Sequence, residues 1–147
     1  MDMKYFTFLL FFLITSIALN AQSQLKDGWY HVHAFDDSNR MRDSSYLKTI
    51  DKEDLILPMS SIIKMKSVKS KMRPFNQLHF WFNEEGKEIW SKATKESIGK
   101  MICIIINGNI ESIVFISTQI TNGKSSFGKE KDKLKETENW IKQQYNL

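Results

Sequence analysis

The sequence predicts a mixed α+β domain in which an antiparallel sheet carries helices packed on one face. The dipeptide Asn107-Gly108 joins two runs rich in Ile, Val and Phe, which predicts a tight hairpin with a type I′ turn. Two other segments, one after Asn83 and one over residues 129–145, repeat their apolar residues at the spacing of amphipathic helices. Hairpin strands combined with separate helices are typical of α+β folds.

The remaining elements follow in chain order. "GWYHVHAF" predicts a first strand, which a polar loop follows, and "SIIKMKSV" and "NQLHFWFN" predict two more strands separated by a Lys-rich connection. Asn83 then caps a helix, with two Glu residues in its first turn, and Gly99 ends that helix. The hairpin and the carboxy-terminal helix complete the domain.

The amino terminus indicates a compartment. A short start with one Lys precedes the apolar run "YFTFLLFFLITSIAL", which is shorter than the ~20 residues of a membrane-spanning helix and ends near small residues. We therefore expect residues 1–21 to be a signal peptide cleaved after Ala21. Residues 22–147 would then form one secreted, most simply periplasmic, domain without a membrane span. An uncleaved anchor is the alternative, because Leu19 is larger than the usual residue at its position.

Charge and cysteine content narrow the function classes. The 147 residues carry a formal net charge of +4. Much of this excess lies in an acid-free stretch between Asp54 and Glu84, the basic stretch, which consists of Lys64, Lys66, Lys69, Lys71 and Arg73. A solvated edge is its simplest interpretation, and an anionic ligand is the alternative. The single cysteine, Cys103, excludes an intramolecular disulfide and is expected to be an inert core thiol.

The segment "ITNGKSSFGKE" contains the glycine spacing of a phosphate-binding loop. Gly123 is followed by Gly128-Lys129 in the G-x-x-x-x-G-K pattern, but Glu130 stands where that loop needs a Ser or Thr for Mg²⁺. A carboxylate there would also repel phosphate at the start of a helix. We therefore expect no nucleotide, and the sequence indicates no other cofactor.

Catalytic and metal-binding patterns are weak. The sequence has no G-x-S-x-G or H-E-x-x-H motif. His31 and His33 share one strand face, and Asp36, Asp37 or His79 would have to complete a metal site. Because spacing links only two ligands, we interpret the pair as surface residues and predict neither a metal nor enzymatic activity. A small His-dependent envelope enzyme is the alternative.

One long segment has an order of features that matches a known family. It reads "HFWFNEEGKEIWSKATKESIGKMICIIINGNIESIVFISTQITNGKSSFGKE": a strand, an acid-Gly-x-x-x-aromatic helix ending in Thr, a hairpin and a glycine-containing element. The matching residues are Gly86, Trp90, Thr94, Gly99, Gly108, Ile120, Gly123, Phe127 and Gly128. Over residues 75–145 the chain resembles the head of the first periplasmic domain of SecD and SecDF, membrane proteins that assist protein export.

The resemblance implies a ferredoxin-like core and structural roles for the matching residues. Gly123 and Gly128 would lie in a connection before the last helix, where glycine permits positive φ and close approach. Two features depart from the family pattern: the usual proline of the second hairpin strand is replaced near Val114, and the transporter's membrane helices are missing. The chain would therefore act as a detached module.

The alternation of side chains between the two faces of each predicted strand suggests where such a module binds. Both faces of the predicted sheet are apolar, so the face away from the helices needs a cover, which residues 28–70, a partner or another copy would supply. The candidate binding residues on this face are His79, Trp81, Ile113 and Phe115. The resemblance implies a non-enzymatic envelope module that contacts extended polypeptide, by strand addition or aromatic contacts.

The sequence is compatible with several kinds of partner. The partner would be a polypeptide or another envelope protein, a homo-oligomer is also compatible, and nucleic acid is not expected. The alternative function is a basic-surface module that uses the basic stretch to bind anionic partners, which predicts steep salt dependence.

Overall fold

The computed structural model of the protein describes residues 25–33, 50–71 and 74–147. The predicted signal peptide, the polar loop after the first strand and Arg73 of the basic stretch lie outside the described residues. Within them, neither helix is long and apolar enough to cross a membrane.

The described residues form strands and helices in the following order. The strands are β1 (Gly28–Val32), β2 (Leu55–Pro58), β3 (Ile62–Val68), β4 (Phe75–Phe82), β5 (Met101–Ile106), β6 (Asn109–Phe115) and β7 (Lys124–Glu130). The helices are α1 (Glu84–Glu96), between β4 and β5, and α2 (Lys131–Tyr145), after β7. Short 3₁₀ turns precede β2 and β3.

The strands form two antiparallel sheets, and the predicted α+β class is confirmed. The first sheet has the order β2-β1-β5-β6 and the second the order β3-β4-β7. The chain crosses between the sheets at the 3₁₀ turn Met59–Ser61, through α1, and again after β6. The sequence analysis treated all strands as members of one sheet. The strands instead form two sheets, and this division determines which side chains share a face.

The inner faces of the two sheets pack on each other and on the helices. Trp29 of β1 is fully buried, and its ring centroid lies 4.8 Å from that of Phe82 and 5.5 Å from that of Phe80, both on β4. Trp90 of α1 and Leu134 of α2 belong to the same core. The aromatic contacts between the sheets are edge-on, a favourable geometry for ring pairs.

Helix α1 is joined to the rest of the domain by the residues that match the family pattern. The Asn83 side chain accepts a hydrogen bond from the Gly86 N–H at 2.7 Å, which confirms the predicted cap. The Trp90 indole N–H donates to the Lys124 carbonyl at 3.0 Å. Thr94 Oγ1 donates to the Trp90 carbonyl and accepts from the Ile120 N–H at 3.0 Å, so α1 holds the connection before β7.

Positive φ angles occur where the local sequence predicts them. Asn107 has φ 51° and Gly108 has φ 71°, which confirms the hairpin turn, and Gly99 has φ 80° just beyond α1. Gly123 has φ 65° as expected. The expectation for Gly128 is wrong: it lies within β7, where an added Cβ would make only ordinary contact, at 3.6 Å from the nearest atom.

Strand β7 was not predicted, because "KSSFGKE" contains few strand-favouring residues. Its whole length pairs with β4, from Phe75↔Glu130 to Trp81↔Lys124, and this pairing holds it extended. The stretch from Lys124 to Lys129 is consequently a strand rather than a loop that could wrap around a phosphate.

The outer face of the first sheet carries a second, smaller core. Tyr30, Ile50, Cys103 and Ile105 are buried there, and Ile113 packs against them. Burial raises the pKa of the Cys103 thiol to about 12, so the thiol stays protonated and inert at neutral pH. Ile50 comes from residues 28–70, one of the three covers that the sequence offered for an apolar sheet face.

Candidate functional site

The outer face of the second sheet presents an aromatic and basic surface. Helices α1 and α2 contribute buried residues to the core on its inner side. Cross-strand partners share a face, and Trp81 is paired with both Lys64 and Lys124, whereas His79 is paired with Lys66 and Ser126. The surface, here called the open face, comprises Lys64, Lys66, Val68, Phe75, Gln77, His79, Trp81, Lys124, Ser126, Gly128 and, at its far end, Glu130.

Trp81 is at the centre of this face and organises its neighbours. Its half-buried ring has the Lys64 ammonium 5.2 Å and the Lys124 ammonium 5.4 Å from the centroid, within the range of cation–π attraction. The His79 ring lies alongside, 6.1 Å away with an interplanar angle of 34°. Two long cationic side chains from different strands are thus held beside one indole.

The open face is positively charged. Among the described residues, Lys64, Lys66 and Lys124 make no ion pair, whereas ion pairs form elsewhere, as between Lys129 and the buried Glu111. Exposed lysines without acidic neighbours create a positive potential that attracts anionic groups. Lys64 and Lys66 of the basic stretch therefore share one surface with His79 and Trp81, although the sequence assigned the two pairs to alternative sites.

The lysines that follow β3 extend this charge. Lys69 and Lys71 are exposed at the end of the strand, beyond Val68.

Lys124 belongs to the face but was missed by sequence reasoning, because the strand that carries it was not predicted.

The four predicted binding residues do not form one site. His79 and Trp81 lie on β4 in the second sheet, whereas Ile113 and Phe115 lie on β6 in the first sheet. Ile113 packs in the second core, and Phe115 is 60% exposed. The prediction of a common face is wrong. Alternation along strands shows which side chains share a face only when the strands belong to the same sheet. Here α1 carries the chain from the second sheet to the first.

The open face continues into a depression at the start of β4. Phe75 is 44% exposed there, and the depression has a volume of about 360 Å³. It is lined by Ser70, Phe75, Gln77, Gly128, Lys129, Glu130 and Lys133. Gly128 has no side chain to fill the space beside Gln77, so the depression stays accessible.

Strand β3 forms an edge of the second sheet. Within the described part of the chain it pairs with β4 alone, and its bulge at Ile63 leaves that side chain 64% exposed. The outward backbone N–H and C=O groups of an edge strand can pair with an added strand. The edge runs directly beside Lys64 and Lys66.

The histidines lie at separate places. The His31 Nδ1 atom is 3.2 Å from the Ser97 hydroxyl, and the His33 Nε2 atom is 2.6 Å from an Asp54 carboxylate oxygen. His79 lies on the open face of the other sheet. Among the described residues no group of three or more His, Cys, Asp or Glu side chains is placed to hold a metal ion, and Asp36 and Asp37 lie outside them.

Local environment shifts two pKa values near β1. Burial, followed by the neighbouring His33, lowers the pKa of His31. Burial alone would raise the pKa of Asp54, but hydrogen bonds from the Asp51 backbone N–H and the His33 ring outweigh it and lower that pKa. This cluster favours a neutral His31 and an ionised Asp54.

Comparison with known proteins gives matches to solved structures. No family model and no curated protein matches the chain. A structure of SecDF, described as a membrane component that enhances protein export, matches with a TM-score of 0.56 and 18% identity over 80% of this chain and 61% of that chain. SecDF crystallised in a super-membrane-facing form matches with a TM-score of 0.51 and 23% identity over 68% of this chain.

The chain corresponds to only part of these proteins, since it spans 61% of the first SecDF chain and 14% of the second. At these identities the likeness concerns the fold. The resemblance noted in the sequence is therefore confirmed at that level: the domain has the fold of a part of SecDF.

Proposed function

We propose that this domain is a non-enzymatic accessory module of protein export on the extracytoplasmic side of the membrane, where it contacts extended polypeptide. The observation that carries the proposal is the open face together with the outer edge of β3, which no other described strand pairs. The similarity to part of SecDF, a protein described as enhancing protein export, supports the same reading.

The β3 edge and the open face offer complementary contacts to an extended chain. Backbone groups along the edge of β3 would pair with the backbone of an added strand, independently of its sequence. Trp81 and Phe75 would contact its side chains, and aromatic residues carry much of the binding energy at protein interfaces. An accessory module for many exported chains needs this tolerance of sequence.

The His31–Ser97 pair gives little support to the enzymatic alternative. Ser97 is 1% exposed, so a substrate carbonyl could not reach its hydroxyl without rearrangement. The ring of His31 faces this buried hydroxyl, while the Asp54 carboxylate bonds His33 instead. The three side chains therefore lack the linked order of a nucleophile, a base and an orienting acid.

A binding titration with Trp81→Ala tests the proposal. The probe is a secretory protein that has been reduced and carbamidomethylated so that it cannot refold, and binding is followed by fluorescence anisotropy. Loss of an aromatic contact at the centre of the face should weaken binding by about fivefold or more. Phe115→Ser is the matched control, because it removes an exposed aromatic side chain from the other sheet.

Two results would contradict the proposal. The first is absence of binding to the unfolded protein by the native domain. The second is an equal loss in both variants, which would place the contact away from the open face. A urea unfolding curve of each variant confirms that the fold is kept.

The unpaired lysines favour a second candidate, a module for anionic partners such as lipid head groups or nucleic acid. It predicts that changing Lys64 and Lys66 to Gln removes most affinity for anionic vesicles or oligonucleotides, and that the remainder falls steeply with salt. Binding to an unfolded polypeptide that persists at high salt favours the first candidate.

A further inference from the structure

We infer that the open face selects acidic segments of polypeptide, in which Asp or Glu alternates with other residues. This inference rests on the proposed function, since it names the class of chain that the same surface would take. It is carried by the position of three ammonium groups relative to the β3 edge: among the described residues these groups make no ion pair and the edge has no partner strand.

The charges on the face point to an anionic partner. Lys64, Lys66 and Lys124 are exposed and without ion pairs among the described residues, and the cross-strand pairing gives the open face one carboxylate, that of Glu130 opposite Phe75. Glu130, at its far end, is paired with Lys133 at 3.2 Å. A partner with carboxylates would find charges of opposite sign, and a partner rich in Lys or Arg would be repelled.

The spacing of the charges points to an extended chain with alternating acids. Lys64 and Lys66 are two residues apart on β3 and project to the same face, so their attachment points are about 7 Å apart. A strand added to the β3 edge has the same repeat and projects every second side chain to that face. Carboxylates at alternate positions would therefore lie opposite these two lysines.

Trp81 prepares two of the lysines for this contact. The Lys64 ammonium lies 5.2 Å and the Lys124 ammonium 5.4 Å from the centroid of its ring. A free lysine loses much rotational freedom when it pairs with a carboxylate, and cation–π attraction to Trp81 has already restricted these two. Lys64 and Lys124 come from strands on either side of β4, so the charge extends inwards from the edge across the sheet.

The test uses three synthetic peptides that differ only at alternate positions, which hold Glu, Gln or Lys, with Thr and Val at the others. Each is labelled and titrated against the purified protein at low and high salt. The Glu peptide should bind about tenfold more tightly than the Gln peptide at low salt, and the Lys peptide should bind most weakly. The preference should shrink at high salt.

The double variant Lys64→Gln/Lys66→Gln should reduce the preference for Glu over Gln to less than about twofold, because the paired charges are gone. Lys92→Gln/Lys135→Gln is the matched control, since it removes the same charge from exposed positions on α1 and α2. The control should keep the preference. Unfolding curves of both variants should overlay that of the native protein.

The outcomes separate this inference from the proposed function. Equal binding of the three peptides, with loss of all binding in Trp81→Ala, would leave polypeptide binding in place and overturn the acidic preference. No binding of any peptide or of the unfolded protein would overturn both. Tighter binding of a single-stranded oligonucleotide or an anionic vesicle than of the Glu peptide would identify a general polyanion site and also overturn the inference.

Discussion

Replacing Trp90 with Ala removes a ring that joins α1 to both sheets. Trp90 is 1% exposed, and its ring centroid lies 5.6 Å from that of Phe82 in the second sheet and 6.2 Å from that of Trp29 in the first. Truncation of a buried Trp to Ala costs about 3 to 5 kcal/mol, because the lost burial is combined with a cavity that closes only in part.

The hydrogen bond of the indole adds to this loss. The Trp90 N–H donates to the Lys124 carbonyl at 3.0 Å, and the variant leaves that carbonyl without its partner. Lys124 is exposed at the start of β7, so water can replace the bond. The added loss should therefore lie at the low end of the penalty for an unsatisfied acceptor, about 1 kcal/mol. We therefore expect Trp90→Ala to lower the free energy of unfolding by about 4 to 6 kcal/mol.

Urea unfolding followed by circular dichroism measures this loss without relying on tryptophan fluorescence. Trp90→Phe separates the two contributions, because it keeps an aromatic ring in the core and removes the N–H donor, and it should be much less destabilising than Trp90→Ala. Trp81→Ala is a matched control on the half-buried ring of the open face and should also cost less. A loss below about 1 kcal/mol in Trp90→Ala would refute the packing described for α1.

Three further predictions concern the turn, the histidine and the amino terminus. Gly108→Val forces a β-branched residue to φ 71° and should cost about 1 to 3 kcal/mol in urea unfolding; an unchanged curve would refute the turn. The folded pKa of His31 is below its unfolded value of 6.5, so its contribution to stability should be lost as pH falls below that value, and His31→Gln should flatten the pH dependence of thermal unfolding; an equal slope would contradict this. Intact mass of the exported protein should correspond to a chain starting at Gln22, and a retained leader would contradict cleavage.

Local features of the chain were predictable because their causes are local. The Asn107-Gly108 turn depends on backbone angles that few residues adopt, and the Asn83 cap depends on a side chain three residues from its partner. Both follow from residues adjacent in sequence. The sequence also indicated the basic stretch and the aromatic residues of β4, since charge density and alternation are properties of short segments.

The composition of the candidate site was only partly predictable. Trp81, His79, Lys64 and Lys66 were all singled out, but as members of two competing sites. Lys124 and the depression beside Phe75 were missed, because they depend on a strand whose own residues carry little strand preference. That strand is extended because β4 offers it a partner across the sheet.

The sequence by itself determined the α+β class, the hairpin, both helices and the alternation of Trp81 with buried Phe80 and Phe82. Only the tertiary structure decided which strands share a sheet, and therefore that Trp81 faces Lys64 and Lys124 rather than Phe115. Strand pairing joins segments far apart in the chain, and its register is fixed by the packing of whole faces. The open face depends on that register, so no single segment could reveal it.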